Sequence, residues 1–209
     1  MDKIITDYTY EQSADLRGFF AICGIDEAGR GPLAGSVFAA AVVLPLGLEI
    51  EGLNDSKKLS EKKREILYDI IIEKAIAWAV VSVDEKIIDQ INILQATYLA
   101  MEKACAQINC DYALIDGNRM PPNLKVQGET IVKGDAKSMS IAAASILAKV
   151  SRDREMFEYA KQYPEYMFEK HKGYGTKLHY EMLEKYGSCE IHRETFLKKF
   201  YAQKAKNDA

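Results

Sequence analysis

The sequence predicts an α/β or α+β protein in which helices cover one mixed sheet. Short apolar stretches rich in β-branched residues predict five strands, at residues 21–26, 36–44, 76–83, 112–116 and 130–133. Helical patterns alternate with the later strands, an order typical of a sheet covered by helices. We expect the first two strands to pair antiparallel through the glycine-rich turn between them.

Four amphipathic or alanine-rich segments predict the main helices. They are residues 61–75, with Ser60 as N-cap, the apolar stripe that follows Asn92 from Leu94 to Ile108, the alanine-rich stretch 137–163, and residues 177–186, which end at Gly187 as C-cap. No internal repeat and no Gly/Ser/Pro-rich linker divides the 209 residues, so we expect one compact unit.

The composition is that of an ordinary globular protein. With 48% hydrophobic and 28% charged residues, the chain fits neither the disordered nor the fibrous class. The longest apolar run, residues 37–44, is too short to span a bilayer, and the acidic start is unlike a secretory signal. We therefore expect a cytoplasmic protein with no membrane partner. Sparse cysteines without a Cys-x-x-Cys pair indicate reduced thiols, namely Cys23, Cys105, Cys110 and Cys189.

The net charge of −3 is unlike the basic balance of most nucleic-acid-binding proteins. The charge is unevenly distributed, because residues 161–209 contain 10 Lys and Arg against 7 Asp and Glu. This C-terminal stretch could contact phosphates, or its lysines could simply be solvated on helical surfaces.

Four acidic residues follow apolar stretches, where predicted strands end. Asp26 and Glu27 follow the first strand, Asp116 ends another, and Asp135 lies between the last strand and the alanine-rich helix. Ligand sites of open sheets collect at strand ends, so these acids predict a shared site. The alternatives for Asp116 and Asp135 taken singly are an Asp-Gly turn and a helix cap.

Four carboxylates in one pocket require a cation. Two carboxylates about 4 Å apart repel by roughly 4 kcal/mol at an effective dielectric near 20. Hard oxygen ligands favour Mg²⁺ or Mn²⁺. Neighbours on a regular strand face opposite ways, so we expect the strand to break at Asp26 and Glu27, helped by Gly29.

Six ordered segments resemble bacterial ribonuclease HII over about residues 20–200. They are GIDEAGRGPLAG, NDSKKLSEKKRE, LIDGNRMP, VKGDAKSMSIAAASILAKVSRDREM, YPEYMFEKHKGYGTKLH and GSCEIHRETF. The resemblance implies a ribonuclease H-like fold, with residues 1–160 as the catalytic core and residues 161–209 as a helical substrate-binding region of the same domain.

The resemblance also implies an activity. Ribonuclease HII cleaves the RNA strand of RNA/DNA hybrids and nicks duplex DNA on the 5′ side of embedded ribonucleotides, leaving 3′-hydroxyl and 5′-phosphate ends. By this resemblance Asp26, Glu27, Asp116 and Asp135 bind two Mg²⁺ or Mn²⁺ ions and are the catalytic residues. We expect Asp26 to bridge the two ions and the protein to be a monomer.

Further residues are implied in substrate binding. In the family the Gly29-Arg30-Gly31 turn contacts the ribonucleotide 2′-hydroxyl, and the tyrosine corresponding to Tyr174 packs on the adjoining sugar; without the resemblance, Tyr174 would be an ordinary turn residue. The candidates for phosphate contacts are Lys57, Lys58, Lys172 and Lys177. His192 and Arg193 could support packing or touch DNA, and the spacing of the three histidines is poor for zinc.

Three other functions compete with this interpretation. Ribonuclease HIII shares the acids but lacks the Gly-Arg-Gly turn and has an additional N-terminal domain, whereas this sequence has the turn and we see no such domain in it. Another ribonuclease H-like nuclease would cut all-DNA duplexes. A noncatalytic hybrid-binding protein would not require the four acids.

Overall fold

The structure is a computed structural model that describes residues 6–53 and 59–207. Its five-stranded sheet has the order β3-β2-β1-β4-β5. The strands are β1 (Ile22–Ala28), β2 (Val37–Val43), β3 (Ala77–Val83), β4 (Tyr112–Asp116) and β5 (Gln127–Ile131). β2 runs antiparallel to β1 and β3, whereas β4 runs parallel to β1 and β5. The predicted mixed sheet and antiparallel first pair are confirmed.

Helices cover both faces of this sheet. They are α1 (Thr9–Asp15), α2 (Glu61–Lys74), α3 (Glu85–Ala106), α4 (Met139–Gln162), α5 (Phe168–His171), α6 (Lys177–Tyr186) and α7 (Glu194–Asn207), with 3₁₀ turns at Gly134–Ala136 and Pro164–Tyr166. α2 and α4 pack on one face of the sheet, and α3 packs on the other. In the described ranges, no helix combines the length and apolarity needed to cross a membrane.

Helix α3 differs from its prediction. It begins at Glu85, where the Asp84 side chain accepts a hydrogen bond from the Ile87 amide, and not after Asn92. Asn92 interrupts the helix with a φ of 68°, and its side chain accepts from the amides of Leu94 and Gln95. Asn92 is therefore a cap, as predicted, but it caps the second half of a kinked helix and not the start of the helix.

The other elements follow the predicted pattern with one shift. The Ser60 side chain accepts from the Lys63 amide at the start of α2, and Gly187 ends α6 as predicted. β5 begins at Gln127, three residues before the predicted start at 130. It is an edge strand in which only Ile131 is buried, so its sequence carries little apolar signal.

Helix α4 lies unusually close to β1 because of Gly24. A Cβ atom built on Gly24 would lie 2.1 Å from the carbonyl carbon of Ser140 and 2.2 Å from the amide nitrogen of Ile141. Any side chain there would push α4 off the sheet. Since side chains two residues apart share a face, Asp26 also points towards α4.

The C-terminal helices enclose a cluster of buried histidines. The rings of His171 and His179 stack with centroids 4.4 Å apart, and the Nε2 atoms of His179 and His192 are 3.0 Å apart. All three rings contact Phe168. His192 therefore supports packing, one of the two alternatives for this residue. The assignment of residues 161–209 to the same domain remains a prediction.

This cluster predicts a loss of stability in acid. Burial lowers the pKa of His179 and of His192 to about 4, whereas an exposed histidine titrates near 6.5. Between about pH 6.5 and pH 4 the unfolded chain binds protons that the folded chain excludes, so stability falls as the pH falls through this window. We expect thermal melts to show this drop. The difference in melting temperature between wild type and the double variant His179→Gln/His192→Gln should narrow on acidification. A constant difference would contradict the lowered pKa of these two histidines.

Candidate active site

Two of the predicted acids lie side by side at one rim of the sheet. β1 and β4 run parallel, and Ile25 pairs with Ile115, so Asp26 and Asp116 occupy the next positions on adjacent strands. Asp26 is 4% exposed, and Asp116 is half-buried. The strand register thus places two carboxylates side by side where the parallel strands end.

The expected strand break between Asp26 and Glu27 does not occur. Asp26 pairs with Ala40 and Glu27 with Ala39 in the β1–β2 ladder. Asp26 accepts a hydrogen bond from Ser145 of α4, whereas Glu27 lines a cavity beside α3. The prediction was wrong because both acids reach the rim from opposite faces of an unbroken strand. The chain leaves the strand at Gly29, whose φ is 96°.

The electrostatics of Asp26 reflect this crowding. Burial raises the pKa of Asp26 well above its ordinary value, and the nearby carboxylates of Glu27 and Asp116 raise it further. Hydrogen bonds from Ser145 and from the Glu27 amide act in the opposite direction but do not cancel these effects. Asp26 is therefore the carboxylate that is repelled by both of the other acids, Glu27 and Asp116.

Asp135 is next in sequence to Gly134, whose backbone amide contacts Asp116. The Gly134 amide donates to Oδ1 of Asp116 at 2.6 Å. Asp135 is buried in the 3₁₀ turn that precedes α4, and the N-cap of α4 is Ser138. The structure thus excludes Asp135 as the cap of α4. The Asp-Gly turn after β4 is present, since Gly117 has a φ of 106°.

The site suits hard divalent cations. Glu27 and Asp116 line a cavity of about 430 Å³ together with Arg30, Asn118 and Arg119. Arg30 contacts Glu27 at 3.3 Å. Within residues 6–53 and 59–207, no three of the acids place carboxylate oxygens within 4.8 Å of one another. Repulsion favours such spacing, and acids that share two cations need not converge on one point.

The glycine-rich loop, residues 29–35, is held from behind by Arg193. The guanidinium of this fully buried arginine donates to the carbonyl oxygens of Gly29 and Gly35 at 2.7 Å, Pro32 at 2.9 Å and Arg30 at 3.2 Å. Burial lowers the pKa of Arg193 to about 9, which keeps the guanidinium charged at neutral pH. One side chain from the C-terminal region therefore bonds four carbonyl groups of the loop.

This anchoring orients the amides of the loop. In a trans peptide the carbonyl and the following amide point in opposite directions, and every peptide bond described is trans. Because the carbonyls of Gly29 and Arg30 point to Arg193, the amides of Arg30 and Gly31 point away from it. Tyr174 adjoins the loop, since its ring is 3.6 Å from where a Gly31 Cβ would be. The loop and Tyr174 are thus neighbours, as the resemblance implied.

Two further residues of the site were missed by the sequence reasoning. Arg152 is fully buried and donates to the carbonyls of Ala34, Ser36 and Lys172, while its guanidinium lies 5.7 Å from the Tyr174 ring. Ser145 contacts Asp26. Both residues lie on one face of α4, seven residues apart. Polar residues at helical spacing on the buried face of an alanine-rich helix are the sequence signal that could have identified them.

The two predicted lysines that the structure describes, Lys172 and Lys177, each lie near a carboxylate of the protein. The amine of Lys172 donates to the Glu169 carbonyl and lies 3.7 Å from the carboxylate of Glu61, so it is engaged within the protein. Lys177 lies at the start of α6, 3.7 Å from Glu181. The predicted phosphate contacts Lys57 and Lys58 lie outside the described residues.

The chain is similar in sequence to known proteins of one family. The family model described as Ribonuclease HII matches residues 23–202. A Ribonuclease HII of Endomicrobium trichonymphae is 61% identical over 191 residues, covering 90% of this chain and 91% of that protein. One from Caldicellulosiruptor bescii is 60% identical over 193 residues, covering 91% and 93%.

Solved structures share the fold. The ribonuclease H2 of Pyrococcus horikoshii superposes with a TM-score of 0.69 at 27% identity, covering 84% of this chain and 93% of that one. Bst-RNase HIII in complex with Mn²⁺ superposes with a TM-score of 0.63 at 18% identity, covering 84% and 65%. The predicted ribonuclease H-like fold is confirmed.

The role of Arg193 can be tested by replacing it with lysine. A lysine cannot span the four carbonyl oxygens, and each buried acceptor left unpaired costs about 1–3 kcal/mol. We expect Arg193→Lys to lower the free energy of unfolding by at least that amount in denaturant titrations. The matched control is Arg154→Lys at the half-exposed pair with Glu65, where we expect a change below about 0.5 kcal/mol. Equal effects of the two substitutions would refute the anchoring role.

Proposed function

The chain belongs to the ribonuclease HII family, and we propose that it cleaves the RNA strand of RNA/DNA hybrids and nicks duplex DNA on the 5′ side of embedded ribonucleotides. Family membership makes it a nuclease, a hydrolase of phosphodiester bonds. The observation that carries the finer proposal is the contiguity of the acidic rim with the glycine-rich loop and Tyr174. This arrangement supports chemistry and 2′-hydroxyl recognition in one site.

We propose that Asp26, Glu27, Asp116 and Asp135 hold two Mg²⁺ or Mn²⁺ ions. The donor set consists of hard oxygen ligands, and burial together with the carboxylates of Glu27 and Asp116 raises the pKa of Asp26. When bound, two such ions supply an activated water and stabilisation of the leaving 3′ oxygen. Asp26, which experiences both Glu27 and Asp116, is best placed to bridge them.

The residues of the chain itself position these groups. Ser145 and the Glu27 amide orient the Asp26 carboxylate, and the Gly134 amide orients that of Asp116. Arg30, which is half-exposed beside Glu27, can contact a backbone phosphate. Hydrolysis would leave the 3′-hydroxyl and 5′-phosphate ends expected for this family.

We propose that the loop reads the ribose. A 2′-hydroxyl distinguishes RNA from DNA and can both donate and accept hydrogen bonds. The amides of Arg30 and Gly31 point away from Arg193, and the absence of a side chain on Gly31 lets a sugar approach them. Tyr174 is 43% exposed beside Gly31, so its ring can pack on the adjoining sugar.

The activity is tested by mapping the nick. Protein with Mg²⁺ or Mn²⁺ is incubated with a DNA duplex containing one ribonucleotide, with an RNA/DNA hybrid, and with an all-DNA duplex. We expect one cut on the 5′ side of the ribonucleotide, cleavage of the hybrid, and no reaction with chelator. Cleavage of the all-DNA duplex would favour another nuclease, and binding without cleavage would favour a hybrid-binding protein.

Replacing Asp26 with asparagine separates chemistry from binding. In other enzymes, mutation of residues that only orient metal ligands lowers metal affinity or activity by about 10–100-fold. Loss of the bridging carboxylate should therefore lower the cleavage rate by more than about 100-fold. We expect Asp26→Asn to bind the ribonucleotide duplex as wild type does in a gel-shift assay while barely cleaving it. Near-normal turnover would refute the bridging role.

Replacing Tyr174 tests recognition of the sugar. Loss of an aromatic stacking contact costs about 1–3 kcal/mol, so we expect Tyr174→Ala to cleave a single-ribonucleotide duplex about 5- to 150-fold more slowly. The control is Tyr186→Ala, whose side chain is 47% exposed at the end of α6. If the two variants cleave equally fast, Tyr174 has no role in recognition.

A further inference from the structure

Three cysteine sulfurs converge inside the protein on the face of the sheet covered by α3. Cys23 lies on β1, Cys105 in the last turn of α3, and Cys110 between α3 and β4. Their Sγ atoms all lie within 4.8 Å of one another, and those of Cys105 and Cys110 are 3.4 Å apart. Among the residues that the structure describes, this is the one group of three or more potential ligand atoms packed so closely.

The fold brings these cysteines together from distant parts of the chain. The Ile108 amide donates to the Cys105 carbonyl, which turns the chain after α3 back towards the helix end. The Asp111 amide then donates to the Ala21 carbonyl, which aligns the start of β4 with β1. The sheet register and the turn together place the three thiols at one point.

We propose that Cys23, Cys105 and Cys110 form a binding site for a thiophilic divalent cation such as Zn²⁺. Zinc–sulfur bonds of about 2.3 Å in tetrahedral geometry place sulfur atoms about 3.8 Å apart. The observed 3.4 Å between two of the sulfurs needs an adjustment of only a few tenths of an ångström. Binding replaces three thiol protons, which leave to solvent, by three metal–thiolate bonds.

The surroundings favour a divalent ion over a monovalent one. The wall of the site is apolar, with Ala104, Ala113 and Ile108 in the same cluster. Three thiolates with a divalent ion carry a net charge of −1, whereas a monovalent ion would leave −2, which costs more in apolar surroundings. Cys23 and Cys105 are buried, but Cys110 is only partly buried, so an ion can enter there and a water can complete the tetrahedron.

The site is separate from the acidic rim, since Cys23 precedes Asp26 by three residues, roughly 10 Å along an extended strand. A bound ion would cross-link β1, α3 and the start of β4, and therefore stabilise the sheet beneath the rim.

The test is a metal titration of the full chain. Reduced, metal-stripped protein is titrated with Cd²⁺ in excess Mg²⁺, which occupies carboxylate sites but not thiolates. The readouts are the ultraviolet thiolate-to-cadmium charge-transfer band, and the mass of the complex. A parallel arm measures Zn²⁺ by competition with a chromophoric chelator, and thermal melts follow with and without Zn²⁺. The variants are Cys110→Ser, Cys105→Ala and the control Cys189→Ala, whose thiol lies in the C-terminal helical cluster.

We expect one ion per chain with a charge-transfer band in wild type and in Cys189→Ala, and a Zn²⁺-dependent rise in melting temperature in both. Cys110→Ser and Cys105→Ala should each lose the band and the rise while keeping a wild-type circular dichroism spectrum. Since Cys110 is only partly buried, its variant should fold even if Cys105→Ala does not. A wild type without the band, or a Cys110→Ser variant with the wild-type band and affinity, overturns the site.

Discussion

The mutual repulsion of carboxylates at the sheet rim is the constraint on which the site depends. Asp26 is buried beside two other acids, and the register of β1 and β4 leaves no room for it to move away. Without cations, this repulsion disfavours the charged form of Asp26. Gly24 lets α4 lie close to β1 on the face of the sheet towards which Asp26 points.

A second constraint links this rim to the C-terminal region. Arg193 precedes α7, yet its guanidinium bonds four carbonyl oxygens of the glycine-rich loop, and Arg152 of α4 bonds the same loop and the segment before Tyr174. The surface that we propose reads the ribose is therefore built on two buried cations. Removing one partner of such a buried contact leaves the other uncompensated, which is costly.

The sequence predicted the sheet and its first antiparallel pair, because strand ends and glycine turns are local signals. The role of the four acids stays a prediction. The sequence misplaced the start of α3, since the Asn92 cap is as strong locally as the true cap at Asp84. It also predicted a strand break at Asp26, because neighbouring side chains on a strand face opposite ways. That alternation does not show that side chains from both faces can reach the same rim of the sheet. The contacts of Arg193, Arg152 and the three thiols involve residues distant in the chain, and only the folded structure brings these together.

We propose that cations relieve the repulsion at Asp26, and the melting temperature measures this relief most directly. Wild type and Asp26→Asn are compared after removal of metals and after addition of Mn²⁺. We expect metal-free Asp26→Asn to melt above metal-free wild type, and Mn²⁺ to raise the melting temperature of wild type far more than that of the variant. If Asp26→Asn melts below wild type without metal and gains as much from Mn²⁺, the carboxylates at this rim are not a cation site.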